Sequence, residues 1–463
     1  MTQNSSYIPA SDVLGVSLVG GEGTRLGPLT WYRTKGAVMA GPSILSAFST
    51  SNAFNSGIEK IIMAVQYLPY SLEYFYSQVH NEDFGHRKKI SVLNPFHFQN
   101  LRSGFKGTAD AFFYALQRAD KSSQAYPQEY VLGLSGDHIY RCDFTELFNI
   151  FNQKYGDNSL VVFTQEVRRE TASEFGILTT EPNSTRVTSF KEKPKQHELP
   201  EGQENFKASL GIYFASRALW RDALNIDQER GKSELSRFDI GGNVIPYLVE
   251  NQSRFQVHTF NLKEQWADVG KPRAYFDTMV NMFLERNPDL FGDPKWKIEA
   301  LGTPVWNSSG QERYVCCLEH TTIRKSNLNN VVCSPGMVIS NSTASNSIFL
   351  GGSEDEKTHI NGSHLENVII DKECNISPKS VVLSKNGLVM IAKETHIPSG
   401  TIIEAKGMAV VASITEMEHN LNNLKTFVQK QKEEGEEVEL FTPEGILISM
   451  EEIMAKSEDK EIN

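Results

Sequence analysis

The 463-residue sequence lacks long apolar runs and any excess of positive charge. No stretch approaches the ~20 apolar residues that a membrane-spanning helix requires, so we expect no membrane partner. There are 46 Lys and Arg against 57 Asp and Glu, and the net charge is -11. This balance argues against a nucleic-acid partner, because phosphate backbones are bound through basic patches. An anionic substrate would have to be held by a few well-placed cations, glycine amides and a metal ion.

Cysteine is also scarce, and the sequence starts without a recognisable leader. The five cysteines are an odd number with no C-x-x-C pair, which predicts reduced thiols rather than a disulfide framework or a zinc site. They are Cys142, Cys316, Cys317, Cys333 and Cys374. Residues 1–12 are polar and lack the basic-then-apolar pattern of a signal peptide. We therefore expect a cytoplasmic protein.

The chain is too long for a single hydrophobic core, since such cores stop growing at about 250–300 residues. In the first 280 residues, short runs rich in Val, Ile and Leu alternate with longer amphipathic stretches. Val13–Val19 runs into a glycine turn, Lys60–Val65 precedes a helical stretch at Ser71–Val79, and Tyr130–Leu134 ends at a Ser-Gly-Asp sequence. This alternation predicts an α/β fold with a doubly wound, mostly parallel sheet. In such sheets ligands bind beyond the carboxyl ends of the strands.

The C-terminal third has a different pattern, in which apolar residues recur every six positions. The recurring residues are Ile370, Ile376, Val382 and Leu388, then Val332 and Val338, and Ile397 and Ile403. This period predicts a parallel β-helix, and an ordinary β-sandwich is the alternative. We expect an α/β domain at 1–285, a linker at 286–313, the β-helix domain at 314–415 and an acidic helical tail at 416–463. The acidic tail is interpreted as a solvated surface without an assigned function.

A glycine-rich turn, Gly20-Gly21-Glu22-Gly23-Thr24-Arg25-Leu26, follows the first predicted strand. Its amide groups could close around phosphate oxygens, and Arg25 offers a permanent cation. The turn is neither a Walker A loop nor a dinucleotide-binding fingerprint. Lys35 could supply a second cation, although an ordinary surface lysine is the alternative.

A second turn, Gly136-Asp137-His138-Ile139-Tyr140, follows another predicted strand. Asp137 is well placed to hold Mg²⁺, although a helix cap is the alternative for such a residue. Asp268 is the candidate for a second metal ligand. The sequence Gly107-Thr108-Ala109-Asp110 reads as a helix start with Thr108 as the cap, and Lys193, which precedes a proline, could meet a sugar phosphate.

Taken in this order, the motifs resemble the ADP-glucose pyrophosphorylase family, also called glucose-1-phosphate adenylyltransferase, among the sugar-phosphate nucleotidyltransferases. The motifs are G-G-x-G-T-R-L, N-S-G-I at 55–58, G-T-A-D, G-D-H-I-Y, E-F-G at 174–176, E-K-P, S-L-G-I-Y and W-x-D-V-G. G-D-H-I-Y and N-S-G-I indicate the adenylyl branch. The resemblance is close over residues 13–280, and it implies that the C-terminal repeat is a left-handed parallel β-helix.

This resemblance implies transfer of an adenylyl group from ATP to glucose-1-phosphate, giving pyrophosphate and ADP-glucose for glycogen synthesis. Mg²⁺ is the implied cofactor and a homotetramer the implied assembly. Catalytic roles are implied for Arg25, Asp137 and Lys193, and Mg²⁺ ligation for Asp137 and Asp268. The implied nucleotide-binding residues are Gly20, Gly21, Gly23, Thr24, Lys35, Gln66, Gly107 and Thr108. The implied sugar-phosphate-binding residues are Gly176, Glu192, Lys193, Ser209, Asp239 and Trp266.

Several positions depart from the family's pattern. The usual Lys-Pro is Lys35-Gly36, the glutamine pair near adenine is reduced to Gln99, and Ile240-Gly241-Gly242-Asn243 lacks a cation expected near the sugar. The charged groups that serve sugar-bisphosphate activation in the family are missing at Tyr32 and at 44–47, so we expect weak or altered allosteric control. Three alternatives stay open: a related enzyme with another base or sugar, a non-catalytic regulatory subunit, and a β-helix acyltransferase using His320, His359 or His364.

Overall fold

The protein is a mixed α/β molecule with parallel sheets, as seen in a computed structural model. The structure describes residues 7–83, 88–98, 104–281, 283–284, 293, 295–309, 312–317 and 320–461. The chain divides into two compact units. The first unit comprises Met1–Gly21, Phe48–Pro69 and His80–Trp266, and the second comprises Glu22–Ala47, Tyr70–Val79 and Ala267–Asn463.

Strands and helices alternate through the described residues between 13 and 281. The strands are β1 (Val13–Leu18), β2 (Met39–Ala40), β3 (Ser43–Ile44), β4 (Lys60–Ala64), β5 (Lys89–Leu93), β6 (Tyr130–Ser135), β7 (His138–Tyr140), β8 (Ser159–Arg168), β9 (Gly176–Thr180), β10 (Val187–Glu192), β11 (Asn205–Ser216), β12 (Gln256–Asn261) and β13 (Trp266–Asp268). The helices are α1 (Leu45–Asn55), α2 (Tyr70–Asp83), α3 (Thr108–Lys121), α4 (Thr145–Lys154), α5 (Arg169–Ala172), α6 (Arg217–Lys232), α7 (Ile245–Glu250) and α8 (Pro272–Asn281). Short 3-10 turns and one π-helical turn, Ile240–Val244, connect them.

A mixed sheet with the order β10-β9-β11-β6-β1-β4-β5 forms the centre of the first unit, and β8 joins it between β11 and β12. The three strands predicted from runs rich in Val, Ile and Leu are β1, β4 and β6, and β1 lies parallel to both of the others. The sheet is not parallel throughout, because the long strand β11 runs antiparallel to β6, β8 and β9.

Hydrophobic cores cover both faces of this sheet. Successive residues of β1 point to opposite faces, so Val13 joins one core while Leu14 and Val16 join the other. Helices α3, α6 and α7 contribute to the core that contains Leu14, and α1 and α4 contribute to the core that contains Val13. This layering leaves the ends of the strands as the places where side chains can meet a ligand.

Parallel strands dominate the second unit. The strands are β14 (Pro304–Asn307), β15 (Arg313–Cys317), β16 (Thr321–Arg324), β17 (Asn327–Cys333), β18 (Met337–Ser340), β19 (Thr343–Phe349), β20 (Thr358–Asn361), β21 (His364–Ile370), β22 (Asn375–Ile376), β23 (Val381–Ser384), β24 (Val389–Ile391), β25 (His396–Ile397), β26 (Ile402–Ala405), β27 (Met408–Val411), β28 (Val438–Phe441) and β29 (Leu447–Ile448). The helices are α9 (Ile414–His419), α10 (Leu421–Glu433) and α11 (Met450–Glu461).

These strands form two sheets. One has the order β16-β18-β20-β22-β25, and the other runs β14-β15-β17-β19-β21-β24-β27-β28-β29 with β23 and β26 branching from β21. β14 lies inside the segment expected to be a linker, of which residues 286–292, 294, 310 and 311 are outside the described part. β28 lies inside the expected tail and pairs in parallel with β27, so the sheet continues past residue 415.

The six-residue apolar period matches buried positions of these strands, with Val338 as the exception. The fully buried members are Val332, Ile370, Ile376, Val382, Leu388, Ile397 and Ile403. Val332 is buried on the side of β17 opposite to Val331 and Cys333, which join the core between the strands, so the expectation that Val332 faces inward is wrong. Val338 is only half-buried, because its neighbours Met337 and Ile339 on β18 point into the core instead. The expectation that it faces inward is therefore wrong, since adjacent strand residues point to opposite sides.

All five cysteines are buried, and none forms a disulfide. The prediction of reduced thiols is thus confirmed. Among the described residues, no helix combines the length and the apolar character needed to cross a membrane.

Candidate functional site

The first group of candidate residues lies in the first unit, where β6 ends. The Ser135 hydroxyl donates a hydrogen bond to Asp137 Oδ1 at 2.6 Å, and His138 Nε2 lies 3.5 Å from the same oxygen. A Cβ atom on Gly136 would come within 2.5 Å of Val19 Cγ2, so only glycine fits between β6 and β1. Asp137 lies in the turn between β6 and β7 and not at a helix terminus, so the helix-cap alternative is wrong. Its side chain is 31% exposed, which leaves it accessible to a cation.

A bulge in β11 brings the S-L-G-I-Y motif to the same place. The pairing of β11 with β8 shifts register between Ser209 and Tyr213, and Gly211 has φ +70°, which favours glycine. A Cβ on Gly211 would lie 3.3 Å from Ser135 Cβ. The bulge therefore packs directly against the end of β6, and the Gly211 amide lies 3.4 Å from the Ser209 hydroxyl.

Trp266 connects this turn to the next group of residues. Its ring packs edge-on against His138, with the ring centroids 4.9 Å apart, and it also packs against Phe175, with the centroids 5.5 Å apart. Phe175 directly precedes Gly176, the first residue of β9. Trp266 thus lies between the Asp137 turn and the start of β9, both of which belong to the first unit.

Glu192 and Lys193 form an adjacent pair of opposite charge. A Cβ on either Gly176 or Gly241 would lie 2.7 Å from Glu192 Oε2, so two glycines make room for this carboxylate. Burial raises the pKa of the Glu192 carboxyl, Lys193 lowers it, and Asp239 raises it further. Lys193 Nζ is 3.8 Å from Glu192 Oε1 and the lysine side chain is 59% exposed, so its charge can still reach a bound anion.

The start of α3 docks against Asp239. The Thr108 hydroxyl donates to Asp239 Oδ2 at 3.1 Å and accepts from the Ile240 amide at 2.9 Å, and Asp239 Oδ1 accepts from the Gly242 amide at 2.6 Å. A Cβ on Gly107 would come within 2.3 Å of the Phe238 carbonyl oxygen.

The prediction that Thr108 caps α3 is wrong. The N-cap of α3 is Gly107, which makes no side-chain capping bond, and Thr108 is already the first helical residue. The Thr108 hydroxyl bonds instead to the segment that follows Phe238. The Thr108 hydroxyl therefore holds the start of α3 against Asp239.

Gln66 lies beyond the end of β4 in the first unit. Its Oε1 accepts a hydrogen bond from the Phe105 amide at 2.8 Å, and its Nε2 donates to the Tyr67 hydroxyl at 2.9 Å. A Cβ on Gly20 would be 3.9 Å from Gln66 Cβ, while a Cβ on Gly21 would meet no non-adjacent atom of the described residues within 4 Å. Gln99, the candidate for contacting adenine, lies outside the described residues.

The rest of the glycine-rich motif belongs to the second unit, where it approaches the W-x-D-V-G motif. The position of a Cβ on Gly270 would be 3.0 Å from Asp268 Oδ1, 3.2 Å from Arg25 Nη2 and 3.3 Å from Lys35 Nζ. Lys35 Nζ lies 3.6 Å from Asp268 Oδ1, and Asp268 Oδ1 accepts from the Gly270 amide at 2.8 Å. Two cations and one carboxylate therefore surround Gly270.

Lys35 is not a surface residue, so the alternative of an ordinary surface lysine is wrong. It is only 8% exposed and begins a short 3-10 turn. A Cβ on Gly23, which has φ +68°, would lie 3.2 Å from Lys35 Cβ. Lys35 is therefore packed against Gly23 of the glycine-rich turn.

The described residues contain no cluster of three or more His, Cys, Asp or Glu side chains that could hold a metal ion. Asp137 and Asp268 each offer a carboxylate within their own unit. Mg²⁺ is usually bound by only one or two carboxylates, with substrate phosphates and waters as the other ligands. The donor chemistry therefore fits a divalent cation that arrives with a nucleotide.

Three neighbours of the candidate residues were missed at the sequence level. Ser135 bonds to Asp137, Gly241 makes room for Glu192, and Gly270 lies among Arg25, Lys35 and Asp268. Each stands within or next to a quoted motif, which is the signal that could have identified them.

Comparison with known proteins gives a consistent result. A family model described as Nucleotidyl transferase matches residues 14–285. A protein of Clostridium acetobutylicum named glucose-1-phosphate adenylyltransferase is 31% identical over 308 residues, which is 66% of this chain and 75% of the relative. Proteins of the same name are similar in Desulfitobacterium hafniense, with 30% identity over 85% of this chain and 96% of the relative, and in Thermosipho africanus, with 33% identity over 62% and 66%.

Proposed function

Because this chain belongs to the glucose-1-phosphate adenylyltransferases, within the nucleotidyl transferase family, we propose that it transfers an adenylyl group from ATP to glucose-1-phosphate. The products are ADP-glucose and pyrophosphate, and a supply of glucosyl donor for glycogen synthesis is the proposed role. The observation that carries the proposal is the Asp137 carboxylate, held by the Ser135 hydroxyl at the carboxyl end of β6. Such a carboxylate suits a phosphate-bound cation.

Nucleotide binding is assigned to the glycine-rich motif and its neighbours. Amides of Gly20, Gly21 and Gly23 would receive phosphate oxygens, because glycine lets the backbone approach an anion closely. Thr24 would contribute its hydroxyl and Arg25 and Lys35 their positive charges, and Asp268 lies beside Lys35 at 3.6 Å. Gln66, Gly107 and Thr108 are assigned to the nucleotide on the resemblance, and Gly20 and Gln66 are neighbours in the structure.

Sugar-phosphate binding is assigned to residues of the first unit. Lys193 would meet the phosphate, since its side chain is exposed and carries a point charge. Glu192 and Asp239 would bind sugar hydroxyls, with Gly176 making room for Glu192. Ser209, on the bulge beside Ser135, and Trp266, beside His138, complete the assignment.

The proposed chemistry needs no protein nucleophile. The phosphate oxygen of glucose-1-phosphate attacks the α-phosphorus of ATP in line with the departing pyrophosphate, so positioning and charge neutralisation supply the rate. Mg²⁺, for which Asp137 and Asp268 are the proposed ligands, would neutralise charge on the phosphates when bound. Arg25 and Lys193 orient the reacting groups and offset the charge that develops on them.

We also propose that the C-terminal strands form a left-handed parallel β-helix and that the first domain is doubly wound. Two hydrogen bonds between neighbouring strands support a coil of three short sides. Asn330 and Asn346 are bonded across 16 residues, and Thr343 and His364 across 21. One coil with three sides of six residues has about 18 residues, which is close to both of these separations. The expected boundaries at 285, 313 and 415 and the homotetramer stay predictions, which limited proteolysis and sedimentation would check.

A nucleotide panel tests the proposed reaction. Pyrophosphate release is measured with glucose-1-phosphate and ATP, UTP, GTP or dTTP in turn, with and without Mg²⁺, and then with ATP and other sugar phosphates. We expect ATP with glucose-1-phosphate to give the highest kcat/KM and chelation of the metal to abolish release. Preference for another base or sugar would support a related pyrophosphorylase. An inactive chain that raises the activity of an added partner would support the regulatory subunit, and a large activation by fructose-1,6-bisphosphate would contradict the expected weak control.

A further inference from the structure

Helix α10 packs on the Thr24–Thr30 turn within the second unit. The Phe427 ring covers Gly27, where an added Cβ would lie 3.1 Å from Cδ2 of that ring and φ is +56°. Lys430 Nζ donates to Thr24 Oγ1 at 3.3 Å. A helix from the expected tail thus contacts the turn that contains Thr24 and Arg25.

Residues at both ends of α10 also form contacts within the second unit. At its N-cap, Asn420 Nδ2 donates to the Tyr32 hydroxyl at 3.3 Å, and at its C-cap, Glu434 pairs with Lys271 at 3.0 Å. The contacting positions 420, 427, 430 and 434 follow the three- and four-residue spacing of one helix face. Lys432, two residues after Lys430, points to the opposite side and is exposed.

The bond between Lys430 and Thr24 fixes the direction of a hydroxyl proton. An ammonium group can only donate, so Thr24 Oγ1 must accept from Lys430 and its own hydrogen points elsewhere. A threonine hydroxyl held in this way can donate to a phosphate oxygen. The neighbouring residue Arg25 belongs to the same turn, so holding Thr24 also restricts the backbone that carries the guanidinium group.

We propose that Lys430 is a positioning residue for the nucleotide, acting through Thr24 and the turn that begins there. This inference rests on the proposed function, since it assigns the turn to the triphosphate of ATP. Phe427 supports the same turn by covering Gly27, which has no side chain of its own to pack. Helix α10 is therefore a part of the nucleotide-binding apparatus and not a solvated tail.

The test compares Lys430→Met with Lys430→Arg and with the matched control Lys432→Met, which removes the same charge from the exposed side of α10. We expect Lys430→Met to raise the KM for ATP about three- to tenfold, the effect of one neutral hydrogen bond, because Lys430 acts on the nucleotide only through the Thr24 hydroxyl; the KM for glucose-1-phosphate should change less than about twofold. Lys430→Arg should recover most of the loss, and Lys432→Met should match the wild type. Equal changes in both KM values, or none, would overturn the inference.

Amide hydrogen exchange provides a readout that does not need activity. Exchange of the amides in residues 22–30 should be faster in Lys430→Met than in Lys432→Met, while the amides of β17 and β19 stay unchanged. A wild-type protein that is inactive with ATP would refute the proposed function. An active Lys430→Met enzyme with faster exchange but an unchanged KM for ATP would refute only the positioning role.

Discussion

Asp137→Asn is the substitution that most directly tests the proposed chemistry. Asparagine keeps the size of the side chain and can still accept the Ser135 hydroxyl bond seen at 2.6 Å, but it carries no charge. The side chain is 31% exposed and lies in a turn, so the free energy of unfolding should change by less than about 1 kcal/mol. We expect kcat to fall on the order of 10²–10³-fold, as when one charge partner of a transition state is removed.

Ser135→Ala separates the orientation of the carboxylate from its charge. Loss of one hydrogen bond should lower kcat about three- to tenfold, because the carboxylate keeps its charge but is less firmly held. In the double variant, the Ser135 substitution should add little to the loss caused by Asp137→Asn, since the hydroxyl acts through the carboxylate.

The assay is pyrophosphate release at saturating ATP and glucose-1-phosphate over a range of Mg²⁺ concentrations, with thermal unfolding as the control for folding. Asp137→Asn should need more Mg²⁺ to reach half of its own maximal rate. A variant that keeps more than about one-tenth of the wild-type kcat, with the same Mg²⁺ dependence, would refute the role assigned to this carboxylate.

Two further predictions concern packing and pH. Gly107→Ala should raise the KM for ATP, because Gly107 is assigned to the nucleotide, and it should lower Tm by several degrees, because the new Cβ would lie 2.3 Å from the Phe238 carbonyl oxygen. Gly407→Ala, whose Cβ would lie 3.8 Å from the Glu437 carbonyl oxygen, should change neither. Unchanged kinetics for Gly107→Ala would contradict this. Burial lowers the pKa of Lys372 from 10.5 to about 8, and Arg33 adds to the shift, so the folded protein binds fewer protons than the unfolded chain between these pH values. The contribution of Lys372 to stability therefore rises with pH across this window. In urea unfolding, the free energy of unfolding of the wild type should rise by about 1–3 kcal/mol relative to that of Lys372→Met between pH 7 and 10.5. A difference between the two proteins that does not change with pH would disprove this.

Local patterns were enough to predict the elements around the candidate site. β1, β4 and β6 each follow from a short run rich in Val, Ile and Leu, and the turn after β6 follows from its glycine. The C-terminal repeat is also local, because each strand has its inward residue at a nearly constant spacing. Side-chain burial at Ile370, Ile376 and Val382 could therefore be expected without any knowledge of the fold.

The features that sequence could not predict depend on partners far along the chain. Thr108 looks like a helix cap until its hydroxyl is seen to bond to Asp239, 131 residues later. Lys35 looks like a surface residue until Asp268 is found beside it. Val338 fits the six-residue period, but Met337 and Ile339 on the same strand take the inward positions. In each case the local sequence allowed two interpretations of the residue, and a tertiary contact decided between them.

The surroundings of Arg25 and Lys35 indicate why the C-terminal half of this chain matters for the nucleotide. Residues 22–47 are held inside the second unit by Arg33 Nη1, which bonds to Asp371 Oδ1 at 2.6 Å with both side chains buried. The Tyr275 hydroxyl donates to the Met39 carbonyl oxygen at 2.6 Å, and the Ser43 hydroxyl donates to the Glu299 carbonyl oxygen at 2.5 Å. Removing one partner of a buried ion pair costs about 3–5 kcal/mol, because the other charge is left uncompensated.

Two of these contacts, and those of α10, come from residues beyond 285, where the match to the nucleotidyl transferase family ends. A fragment limited to residues 14–285 would keep the motif residues but would leave Arg33 buried without Asp371 or exposed to water. Either outcome releases the segment that carries Arg25 and Lys35. The sequence motif is therefore local, whereas its geometry is set by strands and a helix far along the chain. Lys430 on α10, for example, lies 406 residues after Thr24.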